Sequence, residues 1–317
     1  MLLRMDPALK AWLRDHEGIV TSADATMLGV AGGELCTAAA RGDLERVTRG
    51  CYVETARLAG ADPEQCHRLR LAAVLRRQPS GLVASHSSAA LVWGLPVSYA
   101  YLDRIHVARS VARGTTRRYA RHTLHEGYAE GTATEREGVP VVIAPLAVLG
   151  TAFLYGMRAG VLATDAALRS RVTTHDELAA WMDRLARTPG MTRARAAVRR
   201  SHASSESAGE SQLRLILEDL GLPALPQFTI HDGSGSFVAR VDFYLPDLGV
   251  VVEFDGRTKY GGAQGGAALV AEKSREDAIR ALGYAVVRLT SADLDEPGRI
   301  RRLVRRAAGA RGRHRPA

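Results

Sequence analysis

Cysteine is scarce in this chain: three thiols, Cys36, Cys51 and Cys66, in 317 residues. Their number is odd and their spacing too wide for a zinc ribbon, so they read as reduced thiols of a cytoplasmic protein. The first residues, "MLLRMDPALK", lack an apolar core and a small-residue cleavage site, which argues against a signal peptide. The glycine-rich "GGAQGGAA" lacks the Gly-Lys-Ser/Thr ending of a phosphate loop, so nucleotide binding of that type is not indicated. One run without charge, "VPVVIAPLAVLGTAFLYGM" at 139–157, reaches bilayer length. Pro140, Pro145 and Gly150 divide it and no basic flank orients it. It is expected to form a short strand and a buried helix, with no membrane partner. His86, His106, His122 and His125 show no ligand spacing and read as capping, core or surface residues.

Acid is also in deficit. Lysine and arginine number 43 against 34 aspartates and glutamates, a net charge of +9, which favours a polyanionic partner and says nothing of fold. From Arg299 to Ala317 there is no acid at all. This arginine-rich tail could finish a helix and end in disorder, and as a phosphate-binding arm it would add salt-sensitive affinity.

Residues 1–55 read as three short helices and a hairpin. The first covers about 6–16, Thr21 or Ser22 caps the second, and "GGELCTAAARG" forms the third. Two strands then flank Arg49-Gly50. Three small helices followed by a basic hairpin match the winged helix-turn-helix pattern, with Arg41, Arg46 and Arg49 as the DNA-contacting candidates. A small helical cap on a larger body would show the same pattern. Residues 60–200 read as a mixed α/β middle domain, and "TRARAAVRRSHASSESAGES" at 192–211 as a linker. The last domain is expected over 204–298, with 299–317 as the tail. The fold class is therefore α+β and multidomain.

The last domain carries the chemistry. Ser207 caps a helix over about 208–220, and strands follow at "QFTIHD", "FVARVDFYL" and "VVVEFDG". A helix over roughly 268–282 leads into "YAVVRLT", giving the order α-β-β-β-α-β. On the third strand, Glu253 and Asp255 are two residues apart and share a face. Like charges that close need a cation or a proton between them, which points to a divalent metal. A solvated strand end leading into a turn is the other reading.

The segments "GESQLR", "ARVDFYLPDLGVVVEFDGRTKYG" and "AEKSREDAIRALGYAVVRLT" resemble the PD-(D/E)XK restriction-endonuclease-like superfamily. Within it they look like a domain of unknown function related to very-short-patch-repair endonucleases. The resemblance covers about 205–295. Residues 1–55 resemble the N-terminal winged-helix domain of AbiEi-family antitoxins of type IV toxin–antitoxin systems, which implies DNA and a cognate toxin or defence partner.

The nuclease resemblance implies Mg²⁺ or Mn²⁺ and hydrolysis of DNA phosphodiester bonds. Asp242 and Glu253 would be the principal metal ligands, Asp255 a ligand or an acceptor behind one, and Glu210 a ligand through water. The chain departs from the superfamily's signature by carrying Asp255 where lysine is expected. Lys259, just past the flexible Gly256, and Lys273, on the following helix, are the two candidates for the missing cation; Lys259 is favoured. A non-catalytic DNA-binding regulator is the alternative function.

Overall fold

A computed structural model of the chain describes residues 5–77, 81–111, 114–256 and 266–312. It is an α+β protein whose described residues form three sheets, divided between two compact units. The first unit comprises Met1–Ala163 and Arg171–Arg200, and the second Thr164–Ser170 and Ser201–Ala317.

In the first unit, Asp6 caps the helix Pro7–Asp15 by accepting the N–H groups of Ala8 and Leu9 at 2.7 and 3.3 Å. Thr21 and Asp24 form a reciprocal capping box on Ser22–Met27, and a third helix spans Gly32–Arg41. The strands Ile19–Thr21, Leu44–Thr48 and Cys51–Glu54 make an antiparallel sheet with the last in the middle, and Gly50 turns the hairpin at φ +75°. One face of this assembly buries Leu9, Leu13, Val20, Leu35 and Leu44. Ile19, Val47, Cys51 and Val53 belong to another cluster, with Leu71, Val74, Ile105 and Val141. The stretches 1–55 and 60–200 therefore share a core.

That larger core lies against a six-stranded sheet. Its order is Arg117–Arg118, His122–His125, Ile105–Arg109, Leu82–Ala84, Val139–Val142, Ala133–Arg136. The helix His86–Val92 is buried at every position. Three of the four histidines that looked scattered in sequence, His86, His106 and His125, meet here. His106 Nδ1 lies 2.9 Å from His125 Nε2, and the rings of His86 and His125 stack at 3.7 Å. Burial holds His106 at about 3 and His125 at about 4, so both rings are neutral.

The uncharged run forms the strand Val139–Val142 and a helix, Ala144–Arg169, long and apolar enough to cross a membrane. More than half of its most apolar window is buried, with Leu146, Ala147, Leu149 and Ala152 packed inside the protein. The expected break at Gly150 is absent, and the helix interrupts at Gly156, φ +88°. Gly150 serves close approach instead: a Cβ there would stand 2.9 Å from the His86 backbone. The expected linker is also more ordered than its composition suggests. Met191–Arg199 is a helix burying Met191, Ala194, Ala197 and Val198.

The second unit has the order read from sequence: helix Ala208–Asp219, strands Leu225–His231, Phe237–Leu245 and Val250–Asp255, helix Gly266–Ala281, strand Ala285–Thr290. The sheet keeps that strand order, with the first two pairings antiparallel and the last parallel. Alternation explains the faces. Ala239, Val241, Phe243 and Leu245 are buried, while Val238, Asp242 and Tyr244 are half-buried. The arginine-rich end is no separate tail over its described length. It forms the helix Pro297–Gly312, whose Ile300 and Val304 are fully buried against Leu213, Val250 and Leu289.

Candidate functional site

The acids converge because of sheet register. Phe243 pairs with Val252, so one residue further along the antiparallel strands Asp242 lies opposite Glu253. There Asp242 Oδ2 accepts the Phe254 N–H at 2.7 Å, so the side chain takes the place of a ladder bond. The helix carrying Glu210 reaches the same end of the sheet through Gly209. A Cβ at Gly209 would fall 2.0 Å from Phe254 Cε1, so only glycine lets the helix start this close to the strand.

Asp242 is the perturbed group. Burial pushes its carboxyl up to about 6; the Phe254 N–H opposes this, and the charges of Glu210, Glu253 and Glu206 add to it. Glu253 is already compensated. Its Oε1 accepts from Arg275 Nη2 at 2.7 Å, and its Oε2 lies 3.6 Å from Arg288. Both arginines also hold Glu272, and Arg288 lies 3.1 Å from Glu276. The carboxylates, Glu272 first and then Glu253, hold the Arg275 guanidinium firmly protonated. Glu210 is buried, and it is the reciprocal residue of its own helix cap. It accepts from Ser207 Oγ at 2.8 Å, the Glu206 N–H at 2.8 Å and Gln227 Nε2 at 3.0 Å. Asp255 is exposed, at the register of Thr290 on the neighbouring strand.

Lys273 is exposed on the helix Gly266–Ala281, while Lys259 lies outside the described residues. On that helix Ile279 is fully buried, while Ala271 and Ala278 are exposed, as is Leu282 just past its end. In the first unit, Arg46 and Arg49 are exposed on the hairpin, and Arg41 forms a 2.8 Å ion pair with Asp43.

Three site residues escaped the sequence reading. Gln227 continues the register opposite Asp242, donates to Glu210, and takes the left-handed backbone at φ +50°, unusual for a non-glycine residue. Arg275 and Arg288 clamp Glu253. The only sequence signal for them was the alternating Glu272, Arg275, Glu276 charge pattern on one helix face.

The donor set fits a divalent cation in part. Asp242 and Glu253 are hard oxygen donors on adjacent strands, and at Asp242 the structure leaves negative charge opposed by burial and by like charges. Glu210 is saturated by its own donors. Among the described residues no three His, Cys, Asp or Glu side chains form a group able to hold a metal ion.

No protein-family model matches the chain. Two uncharacterised proteins, from two strains of Mycobacterium tuberculosis, are each 35% identical to it over 147 residues, 45% of this chain and 52% of theirs. The chain thus spans about half the length of the curated relatives it matches.

Proposed function

We propose that the protein is a metal-dependent DNA endonuclease of the cytoplasm, its second unit a PD-(D/E)XK-like core and its first fifty-five residues a winged helix that directs it to DNA. One observation carries this reading: Asp242, half-buried, sits across the strands from Glu253 with its charge uncompensated, at the end of a sheet built in the order α-β-β-β-α-β. Asp242 and Glu253 would hold Mg²⁺ or Mn²⁺, with Asp255 beside them. Bound there, the cation would lower the pKa of an attacking water and offset charge developing on the phosphate.

The chain's own residues do the rest. Phe254 N–H fixes the Asp242 carboxylate. Gln227 and Ser207 fix Glu210 behind it. Arg275 and Arg288 orient Glu253 and place cationic donors next to the acids. The basic hairpin with Arg46 and Arg49 would contact phosphates. Loss of Mg²⁺-dependent nicking in both Asp242→Asn and Glu253→Gln, with the fold kept, supports this function; full activity in both removes it.

A second reading is favoured by the clamp itself. With Glu253 offset by two arginines, that carboxylate needs no metal to balance its charge, as a non-catalytic DNA-binding regulator or antitoxin with a cognate toxin partner would require. DNA binding without cleavage under any metal condition would select it.

A further inference from the structure

Basic groups not used by the acid site gather around a cavity in the first unit. It measures about 490 Å³, within the roughly 300–1,000 Å³ range of small-molecule sites. Leu124, Val107 and Leu82, from three adjacent strands of the six-stranded sheet, give it an apolar floor. Arg77, Arg109 and Arg117 line it as well, and among the described residues no carboxylate does. Nor, among the described residues, does any of these three arginines form an ion pair.

Arg109 Nη1 donates to the Thr115 carbonyl at 3.5 Å, but none of the three guanidiniums has a carboxylate partner among the described residues. Like charges around one cavity repel, and an anion among them would relieve that repulsion. His122 lines the same cavity and is only 4% exposed. Burial lowers the His122 ring to about 4, with Arg77 and Arg104 adding to the effect. The ring is therefore neutral and adds no charge to the cavity wall. Tyr119, also on the wall, stacks on it at a ring separation of 4.4 Å.

We propose that this cavity binds a small phosphomonoester with an apolar or aromatic body, of nucleoside-monophosphate size. Arg77, Arg109 and Arg117 hold the phosphate, and the body rests on Leu82, Val107 and Leu124 beside the rings of His122 and Tyr119. Arginine rather than lysine suits this task, because its planar fork meets phosphate oxygens in pairs. Thr48, the last residue of the hairpin strand Leu44–Thr48, also lines the cavity, so the ligand sits beside the turn of the basic hairpin.

The same arginines could instead meet phosphates of a DNA backbone, and the test separates the two sources. The full-length protein is titrated by calorimetry with AMP, inorganic phosphate and adenosine at matched ionic strength, and with a short DNA duplex. Arg77→Gln/Arg117→Gln is run in parallel; both residues are exposed, so the fold is kept, and circular dichroism verifies it. The expected result is one AMP per chain, weaker phosphate, no adenosine, and AMP affinity at least about tenfold lower in the double variant. Failure of AMP to bind, with or without binding of phosphate, overturns the proposal. So does AMP binding that the double variant retains. Loss of duplex affinity in the variant, with no AMP binding to the wild type, assigns the arginines to the DNA backbone.

Discussion

Replacing Asp242 by Asn removes one charge and keeps an oxygen for the Phe254 N–H. In the wild type, burial lifts the carboxyl from 3.8 to about 6. At about 1.36 kcal/mol per pH unit that span sets a ceiling of about 3 kcal/mol. The group is partly exposed, and solvent screening reduces the working figure to about 1–2 kcal/mol. The sign follows from proton linkage. The folded protein holds the Asp242 proton more tightly than the unfolded chain does. Its contribution is therefore most favourable below about pH 4 and is lost as pH rises through 6. In EDTA, Asp242→Asn should match the wild type near pH 4 and exceed it above pH 7, by roughly 3–6 °C in Tm. Thermal melts from pH 4 to 8, followed by circular dichroism, measure the difference. A difference that stays flat with pH, or a variant that is less stable at pH 8, refutes the buried, uncompensated carboxylate.

Other consequences are separable. Arg275→Gln frees Glu253 Oε1 from its 2.7 Å partner and should raise affinity for Mn²⁺ in calorimetry; equal or lower affinity would mean the clamp does not compete with metal. Gly209→Ala drives a methyl into the Phe254 ring and should cost about 1–3 kcal/mol in urea unfolding, whereas a neutral result would contradict the close helix–strand approach. Lys259→Met should lower kcat by about two orders of magnitude, the scale of losing one electrostatic stabiliser, with Lys273→Met near wild type. The reverse pattern would assign the cation to the helix, where Lys273 is exposed.

The order of elements in the second unit was readable because its signals are local. Ser207 with Glu210 marks a cap, Gly221 a helix end, and the alternation of 237–245 a half-buried strand. The clamp on Glu253 was not readable. Arg288 reaches it across a parallel strand pairing and Arg275 from a helix 22 residues away, and no spacing rule covers either. Gln227 was hidden for a similar reason, since its place opposite Asp242 depends on register and its left-handed backbone leaves no mark in composition. Composition misled at 192–211. There, scattered alanine and valine among arginines were enough to seat a helix on the core. That His86, His106 and His125 meet was not readable, because three separate elements bring them together and no interval between them repeats.

Metal-dependent cleavage tests the proposed function most directly. Supercoiled plasmid is incubated with the full-length protein in Mg²⁺, in Mn²⁺ and in EDTA, with Asp242→Asn alongside. Nicked or linear product with either metal, none in EDTA and none from Asp242→Asn is the expected result. Intact plasmid in all three conditions, with the protein folded and binding DNA, or cleavage that persists in EDTA, would contradict a metal-dependent endonuclease.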